Sequence, residues 1–290
     1  MFGGTGTALI TPFDRKGNID EDALRRLVEF QEANGVKTLV PCGSTGESST
    51  LKHSEHLRVI EIVRDQAEKA KVLAGAGSNS TAEAVELTRS ARDIGADGVL
   101  SITPYCVKPT QEGIVRHFTA VAESADIPVV VYNIPGRTGA NVTADTMIEL
   151  AGVDGIAGIK EASGNMSQIM SVITRRPKGF EVLSGDDSLA LPMMCMGADG
   201  VISVASNCCP ALVCDLSDNA LRGNVQAART IHEKLLPLFG ALFVESNPIP
   251  IKYVMSRLGY GTEDPRLPLT PLSEEGRARL DPILGSLGIL

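Results

Sequence analysis

The hydrophobic positions of this chain follow two alternating patterns. Short apolar runs rich in β-branched residues, typical of buried strands, alternate about eight times with segments of helical periodicity. The predicted strands are Thr5–Ile10, Thr38–Pro41, Val72–Ala76, Gly98–Thr103, Val129–Asn133, Gly155–Lys160, Glu181–Ser184 and Gly200–Val204. The predicted helices include Glu21–Ala33, Ser54–Ala70, Thr81–Ile94, Gln111–Ser124 and Ser188–Met196. Such alternation indicates parallel strands joined by crossover helices.

The number and spacing of these units predict the architecture. Eight βα units of about 25 residues favour a closed (β/α)8 TIM barrel over an open doubly wound sheet. Strand patterns stop near residue 224, and three further helices are predicted after it: Val225–Leu242, Pro248–Leu258 and Glu274–Leu287. We therefore expect an α/β fold with a catalytic barrel over residues 1–224 and a small all-α region over residues 225–290.

Composition narrows the function classes. A net charge of -8 argues against sequence-independent nucleic-acid binding, which needs a basic surface. No apolar run approaches the roughly 18 residues needed to cross a bilayer, so no membrane role is expected. The first residues lack the pattern of a secretory signal, and a cytoplasmic location is expected.

Cysteine and histidine spacings do not predict a metal site. The six cysteines form no CxxC pair, which favours buried reduced thiols over disulfides or metal ligands. His53 and His56 share a helix face but have no third ligand at a suitable spacing. A surface helix face and a small-ligand site both remain open for this pair.

The candidate reactive group is Lys160. It ends the apolar run that begins at Gly155, which places one amine at the C-terminal end of a buried strand. Active sites of (β/α)8 barrels lie on that face, and partial desolvation favours the free amine over the ammonium. Such an amine can attack a ketone to form a Schiff base. The alternative is a strand-end lysine that extends its side chain into water.

Other polar residues are predicted at the same end of the barrel. The turn Gly43–Glu47 offers amides and hydroxyls that suit a carboxylate, although glycine and serine also form ordinary turns. Tyr132 could transfer protons near Lys160, and Arg137 could hold a second carboxylate. The alternative is a strand-end tyrosine and a surface arginine. Asp186–Asp187 is predicted to cap the following helix. Lys252, the other lysine in an apolar segment, is interpreted as a packing residue outside the barrel.

Four segments together resemble the dihydrodipicolinate synthase family of pyruvate-dependent class I aldolases. They are Gly43–Glu47, Tyr132–Gly139, Gly158–Ala162 and Glu245–Pro250, and the resemblance extends over nearly the whole chain. It implies a lyase of lysine and diaminopimelate biosynthesis that condenses pyruvate with L-aspartate 4-semialdehyde and needs no metal or organic cofactor.

The resemblance also implies roles for individual residues. Lys160 would form an imine with pyruvate, Tyr132 would act as general acid and base, and Ser44 would relay its proton. Thr45 would bind the pyruvate carboxylate and Arg137 the semialdehyde carboxylate. Ile202 and Gly185 are further substrate-binding candidates.

One position departs from the family pattern. Family members usually have two tyrosines after strand four, where this chain has Tyr105 followed by Cys106. The second tyrosine completes the proton relay in a neighbouring subunit, so the relay through Tyr105 and Cys106 would be completed by water, weakened or rerouted.

The resemblance further suggests a regulatory site for L-lysine between two subunits. The matching residues are Ser48, Ser49, His53, His56, Asn79, Glu83 and Tyr105. It also suggests a homotetramer built as a dimer of dimers. Two alternatives are weighed: a pyruvate-dependent aldolase or dehydratase acting on a sugar acid, and a sensor that binds a keto acid or lysine without turnover.

Overall fold

The computed structural model describes residues 1–290 and contains a closed barrel of eight parallel strands, in which β1 pairs with both β2 and β8. The strands are β1 (Gly4–Ala8), β2 (Thr38–Val40), β3 (Lys71–Gly75), β4 (Gly98–Ile102), β5 (Val129–Asn133), β6 (Ile156–Glu161), β7 (Glu181–Ser184) and β8 (Gly200–Ser203). Each predicted strand is present, with ends displaced by two residues at most. The predicted (β/α)8 barrel is therefore confirmed.

Helices surround the barrel and continue beyond it. They are α1 (Glu21–Ala33), α2 (His53–Gln66), α3 (Thr81–Ile94), α4 (Gln111–Glu123), α5 (Pro135–Thr138), α6 (Ala144–Leu150), α7 (Met166–Arg175), α8 (Asp187–Cys195), α9 (Pro210–Leu221), α10 (Val225–Ala241), α11 (Ile249–Arg257) and α12 (Glu274–Leu287). Side-chain oxygens cap several N-termini; Ser80 accepts from the Glu83 amide and Thr110 from the Gly113 amide. These caps satisfy amides that have no partner within the helix and fix where the helix starts.

One predicted helix is shorter than expected. The segment predicted as Ser54–Ala70 is helical only to Gln66. The reason is a polar contact from α1, where one carboxylate oxygen of Glu32 accepts hydrogen bonds from the amides of residues 68, 69 and 70. These amides thereby find a partner outside a helix, and the chain turns into β3.

The apolar core has two parts. Nine buried residues, Phe2, Ala8, Val40, Leu73, Leu100, Val130, Tyr132, Leu183 and Ile202, fill the barrel interior, and a cluster of 67 lies largely between the strands and the helices. Strands buried on both faces explain the continuous apolar runs in the sequence. Helix α10 packs against α8, α9 and α12. The division at residue 224 stays a prediction. No helix combines the length and the apolar character needed to cross a membrane.

Candidate active site

A small cavity of about 40 Å³ lies at the C-terminal end of the barrel. Its lining includes six of the predicted site residues: Ser44, Thr45, Tyr132, Arg137, Lys160 and Gly185. They come from strands β5 and β6 themselves and from the segments that follow β2, β5 and β7. Ile202 is the exception, since it is buried among the interior residues of the barrel and does not line the cavity. The fold therefore joins residues that lie far apart in the sequence.

Lys160 is the buried amine of this cavity, with 5% of its surface exposed. Burial lowers its pKa to about 8; Asp187 opposes that shift, and Arg137 adds to it. An amine with this pKa is about one-tenth deprotonated at pH 7, against roughly one part in several thousand for an ordinary lysine. The side chain therefore has the protonation behaviour that a nucleophile needs, and it does not extend into water.

Tyr132 lies beside Lys160 on the neighbouring strand. The two residues are register partners of β5 and β6, and the lysine Nζ is 4.4 Å from the centre of the phenol ring. Burial raises the pKa of Tyr132 to about 12, while Arg137 and the Ser44 side chain act in the opposite direction. The phenol is therefore protonated at neutral pH. Its hydrogen bond with the Ser44 side chain would allow the proton to pass to that hydroxyl.

The next pair along the same two strands is Asn133 and Glu161. Both are buried, and the Asn133 amide donates to Glu161 Oε2 at 3.1 Å. Glu161 Oε1 accepts from the Ser163 amide at 2.6 Å, and Asn133 Oδ1 accepts from the Val142 amide at 3.0 Å. This satisfied network ties the strand ends together, which fixes Tyr132 against Lys160.

The turn Gly43–Glu47 does not lead directly into an α-helix. It leads into one 3₁₀ turn at Ser48–Thr50, and α2 begins only at His53. The amides of residues 46, 47 and 48 bond within the turn, whereas those of Ser44 and Thr45 make no hydrogen bond. These two free amides, together with the Thr45 hydroxyl, suit a carboxylate.

Arg137 is supplied by the four-residue helix α5 at the rim of the cavity. One guanidinium nitrogen donates to the Asn247 carbonyl oxygen at 3.0 Å. This single bond leaves the other N–H groups of the fork available for a carboxylate. The side chain is exposed and can meet a ligand that enters from solvent.

A larger cavity of about 430 Å³ adjoins this site and shares Ser44, Arg137 and Asn247 with it. Six of the residues predicted to bind L-lysine line it: Ser48, Ser49, His53, His56, Glu83 and Tyr105. Asn79 does not line it; its Oδ1 accepts from the Ser78 hydroxyl at 3.5 Å. Most of the residues predicted to bind L-lysine thus line the larger cavity.

Two glutamates line the larger cavity, Glu47 and Glu83, and Glu47 is paired with Lys252. Hydrogen bonds from Ser78 and from His53, the latter at 2.6 Å, lower the pKa of Glu83 and keep it ionised.

The two histidines have different partners. His53 contacts Glu83, whereas His56 is buried and its Nε2 bonds to the Gly75 carbonyl oxygen at 2.6 Å. No group of three or more metal-ligating side chains is placed to hold a metal ion.

The segment after β4 is exposed. Tyr105 lines the larger cavity, while Cys106 lines neither cavity. Cys106 has a φ of 72°, in the left-handed region, and its amide bonds to the Thr138 carbonyl at 3.3 Å. Within one chain, the thiol is therefore not part of the group around Lys160.

The structure also separates the roles of Asp186 and Asp187 and adds one site residue. Asp186 caps α8, whereas Asp187 does not; its side chain turns to the end of β8. The sequence singles out Asn247 only as part of a motif, yet its side-chain amide donates to Thr45 Oγ1 at 3.0 Å and the residue lines both cavities. The Asn-Pro sequence at 247–248 is the signal that could have singled it out.

Comparison with known proteins gives the family. A model of the dihydrodipicolinate synthetase family matches residues 1–287. The chain belongs to this family. A similar curated relative is 4-hydroxy-tetrahydrodipicolinate synthase of Syntrophus aciditrophicus, 50% identical over 291 residues that cover 100% of each chain. The dihydrodipicolinate synthase resemblance drawn from four motifs is thus confirmed.

Solved structures of the dihydrodipicolinate synthase family agree with the fold. The Aquifex aeolicus enzyme has a TM-score of 0.97 at 46% identity and 99% coverage of each chain. The Acinetobacter baumannii enzyme, complexed with pyruvate, has a TM-score of 0.98 at 40% identity and 100% coverage of each chain. The Cyanidioschyzon merolae enzyme, with lysine bound, has a TM-score of 0.97 at 40% identity and covers 100% of this chain and 99% of its own.

Proposed function

We propose that this protein is a lyase that condenses pyruvate with L-aspartate 4-semialdehyde to give 4-hydroxy-tetrahydrodipicolinate, in lysine and diaminopimelate biosynthesis. The observation that carries this proposal is the buried Lys160 amine, with its pKa lowered to about 8, beside the Tyr132 phenol in a barrel of the dihydrodipicolinate synthetase family. The family relatives carry the name of this activity.

The proposed reaction uses Lys160 as a covalent catalyst. Its amine attacks the C2 carbonyl of pyruvate, and loss of water gives an imine. Removal of a C3 proton forms an enamine, whose C3 attacks the aldehyde carbon of the semialdehyde. The semialdehyde amine then attacks the imine carbon and displaces the lysine amine, which closes the ring. One water is released overall, and no redox step or added cofactor is needed.

The other site residues support this proposal by their positions. The Ser44 and Thr45 amides with the Thr45 hydroxyl would hold the pyruvate carboxylate, and the Arg137 fork would hold the semialdehyde carboxylate. Tyr132 would donate a proton as the carbinolamine loses water, with Ser44 as its relay. Gly185 has no room for a side chain, because a Cβ there would lie 3.0 Å from Lys160 Cε. A Cβ would also lie 2.8 Å from Ala162 Cβ, so a larger residue would require Ala162 or Lys160 to shift.

Borohydride reduction with pyruvate tests the covalent step. We expect an adduct of reduced pyruvate on Lys160, located by intact mass and peptide mapping. Because the free amine attacks, the rate of adduct formation should rise with pH through about 8, the pKa of Lys160. Folded protein without this adduct would contradict the mechanism. Product formation with L-aspartate 4-semialdehyde but not with sugar-derived aldehydes would exclude the sugar-acid alternative.

We further propose that L-lysine inhibits by binding in the larger cavity, as a lysine-bound relative suggests. Glu83 would pair with an amine of the ligand. Glu83→Gln should then raise the half-inhibitory concentration by about tenfold or more, since a hydrogen bond to a charged group contributes about 1.5–3 kcal/mol. Glu86→Gln, an exposed position on the same helix, is the control. A flat response of the unmodified enzyme to millimolar L-lysine would contradict this proposal.

We propose a cytoplasmic homotetramer built as a dimer of dimers, in which the segment carrying Tyr105 meets a neighbouring subunit. Tyr105 and Val107 are large apolar side chains exposed in one chain, which supports a covered position. A monomeric variant is known in the family, so assembly varies among its members. Sedimentation analysis at assay concentration tests the tetramer.

Cys106→Tyr tests the departure from the family pattern. Within one chain the side chain is exposed, so the larger residue has space there, and a phenol would restore the usual relay group. We expect turnover to be retained or raised, measured with saturating substrates. Cys195→Tyr, at the other exposed cysteine, controls for adding a tyrosine to the surface. A large loss specific to position 106 would show that the thiol has its own role.

A further inference from the structure

Asn247 contacts both carboxylate-binding groups of the proposed site. It lies just before α11, is 6% exposed and lines both cavities. Its side-chain Nδ2 donates to Thr45 Oγ1 at 3.0 Å, and its backbone carbonyl oxygen accepts from the Arg137 guanidinium at 3.0 Å. The side chain thus contacts the group proposed for the pyruvate carboxylate, and the backbone contacts the group proposed for the semialdehyde carboxylate.

The bond from Asn247 determines what the Thr45 hydroxyl can do. Thr45 is 3% exposed, and its hydroxyl accepts from Asn247 but donates to no protein atom. A threonine hydroxyl has one O–H donor and two acceptor positions. Because the amide occupies an acceptor position, the O–H is left to donate into the small cavity that Thr45 lines. A buried hydroxyl with an unused donor suits an anionic ligand such as a carboxylate.

The side chain of Asn247 has no other hydrogen bond. Its second polar atom, Oδ1, is buried without a partner, so the contact with Thr45 is the only hydrogen bond that the side-chain amide makes. Leaving one buried acceptor unsatisfied costs stability. Packing alone does not explain an asparagine at this position, because an apolar side chain of similar size would avoid that cost.

The segment that carries Asn247 is fixed against the turn that carries Thr45. Lys252, in the helix that follows Asn247, forms a buried ion pair at 2.6 Å with Glu47, the last residue of the turn. The Asn247–Thr45 hydrogen bond is a second contact between the same two segments. Because two contacts join them, the amide of Asn247 meets the Thr45 hydroxyl from a constant position.

We propose that Asn247 is a positioning residue for both carboxylate-binding groups. Its amide holds the Thr45 hydroxyl so that the O–H points at the pyruvate carboxylate, and its backbone carbonyl holds the Arg137 fork beside it for the second substrate. This inference rests on the proposed function. Since only the first contact uses the side chain, a substitution at Asn247 should weaken the pyruvate end of the site and spare the semialdehyde end.

Asn247→Ala tests this separation by steady-state kinetics. The KM for pyruvate should rise about three- to tenfold, the range expected for loss of one hydrogen bond. The KM for L-aspartate 4-semialdehyde and kcat should stay within about twofold, because the carbonyl that holds Arg137 remains and binding rather than chemistry is affected. Equal rises in both KM values together with a fall in kcat would overturn the proposal, because that is the result of a general distortion.

Asn34→Ala is the matched control. Asn34 also donates one side-chain hydrogen bond, to the Phe30 carbonyl oxygen at 2.8 Å, but it lies between α1 and β2 at the opposite end of the barrel. The same substitution therefore removes the same kind of bond far from the cavities. Its kinetic constants should equal those of the unmodified enzyme.

A double-mutant cycle with Thr45→Val tests whether Asn247 acts through the hydroxyl. Thr45→Val removes the hydroxyl at nearly constant shape and should itself raise the KM for pyruvate. Adding Asn247→Ala to Thr45→Val should raise that KM by less than about twofold further, because the group through which the amide acts is already gone. An Asn247→Ala effect of the same size with and without the hydroxyl would contradict the assignment.

Failure of the two proposals can be told apart by borohydride trapping with pyruvate. If the unmodified enzyme forms no adduct, the proposed function fails. If it forms the adduct and Asn247→Ala is trapped at the same half-saturating pyruvate concentration, only the Asn247 assignment fails.

Asn247→Asp is the second variant, should Asn247→Ala not fold by circular dichroism. It keeps the shape of the side chain, but an ionised carboxylate accepts from the Thr45 hydroxyl instead of donating to it and so turns the O–H away from pyruvate. The half-saturating pyruvate concentration should rise at least about tenfold. A value within about twofold of the unmodified enzyme would overturn the assignment.

Discussion

Replacing Lys160 with alanine is expected to lower turnover by at least about a thousandfold, because loss of a covalent nucleophile removes a reaction path that the remaining residues cannot supply. The amine is the only lysine nitrogen in the small cavity, and the Tyr132 phenol has no nucleophilic role while burial raises its pKa to about 12. The variant should also give no borohydride adduct with pyruvate.

Steady-state kinetics with pyruvate and L-aspartate 4-semialdehyde measure this effect. Lys178→Ala, which removes an exposed lysine before β7, is the control and should keep full activity. Thermal unfolding of both variants checks that the loss is chemical. Removing the buried amine also removes an unfavourable desolvation, so Lys160→Ala should be no less stable than the unmodified enzyme. Activity of Lys160→Ala within tenfold of normal would contradict a covalent mechanism.

The sequence predicted the barrel well because its strands are short, apolar and evenly spaced. The β6 strand was found because Ile156 and Ile159 precede a single lysine. The first residues of α9, Pro210–Val213, show no clear alternation of polar and apolar residues. Helix α5 has only four residues, which is too short to show a helical period. The sequence pattern therefore predicts neither as a separate helix.

The sequence predicted the site residues that lie in recognisable motifs. It did not predict those whose role depends on contacts between distant segments. Asp186 and Asp187 give the same signal in the sequence, yet one caps α8 and the other reaches β8. Only the turn geometry after β7 separates them. Asn247 contacts Thr45 from a position 202 residues away, and no local pattern encodes such a pair.

Lys252 illustrates the same limit. The sequence predicts a packing residue, and Lys252 is fully buried in α11, but its Nζ forms an ion pair with Glu47 Oε1 at 2.6 Å. The ammonium also lies 3.9 Å from the centre of the Phe13 ring, and Glu47 Oε2 accepts from the Arg266 amide at 2.9 Å. Both charges are thus paired inside the protein. Removing either side chain alone would leave the other as an unpaired buried charge.

Lys252→Met should therefore lower the free energy of unfolding by about 3–5 kcal/mol, the usual cost of leaving one charge of a buried pair uncompensated. Urea unfolding at pH 7 measures it. Lys234→Met, at an exposed position of α10, should stay within about 0.5 kcal/mol of the unmodified protein. A Lys252→Met loss below about 1 kcal/mol would show that the pair contributes little.

The double variant Glu47→Gln/Lys252→Met separates the cost of an unpaired buried charge from the effect of losing the ion pair itself. With both charges gone, no buried charge is left unpaired, and most of the lost stability should return. Activity need not return with it, because Glu47 ends the turn that carries Ser44 and Thr45, and Lys252 lies on the helix that follows Asn247. The ion pair joins these two segments on one side of the cavity. We therefore expect a raised KM for pyruvate in the double variant even where its stability is close to normal.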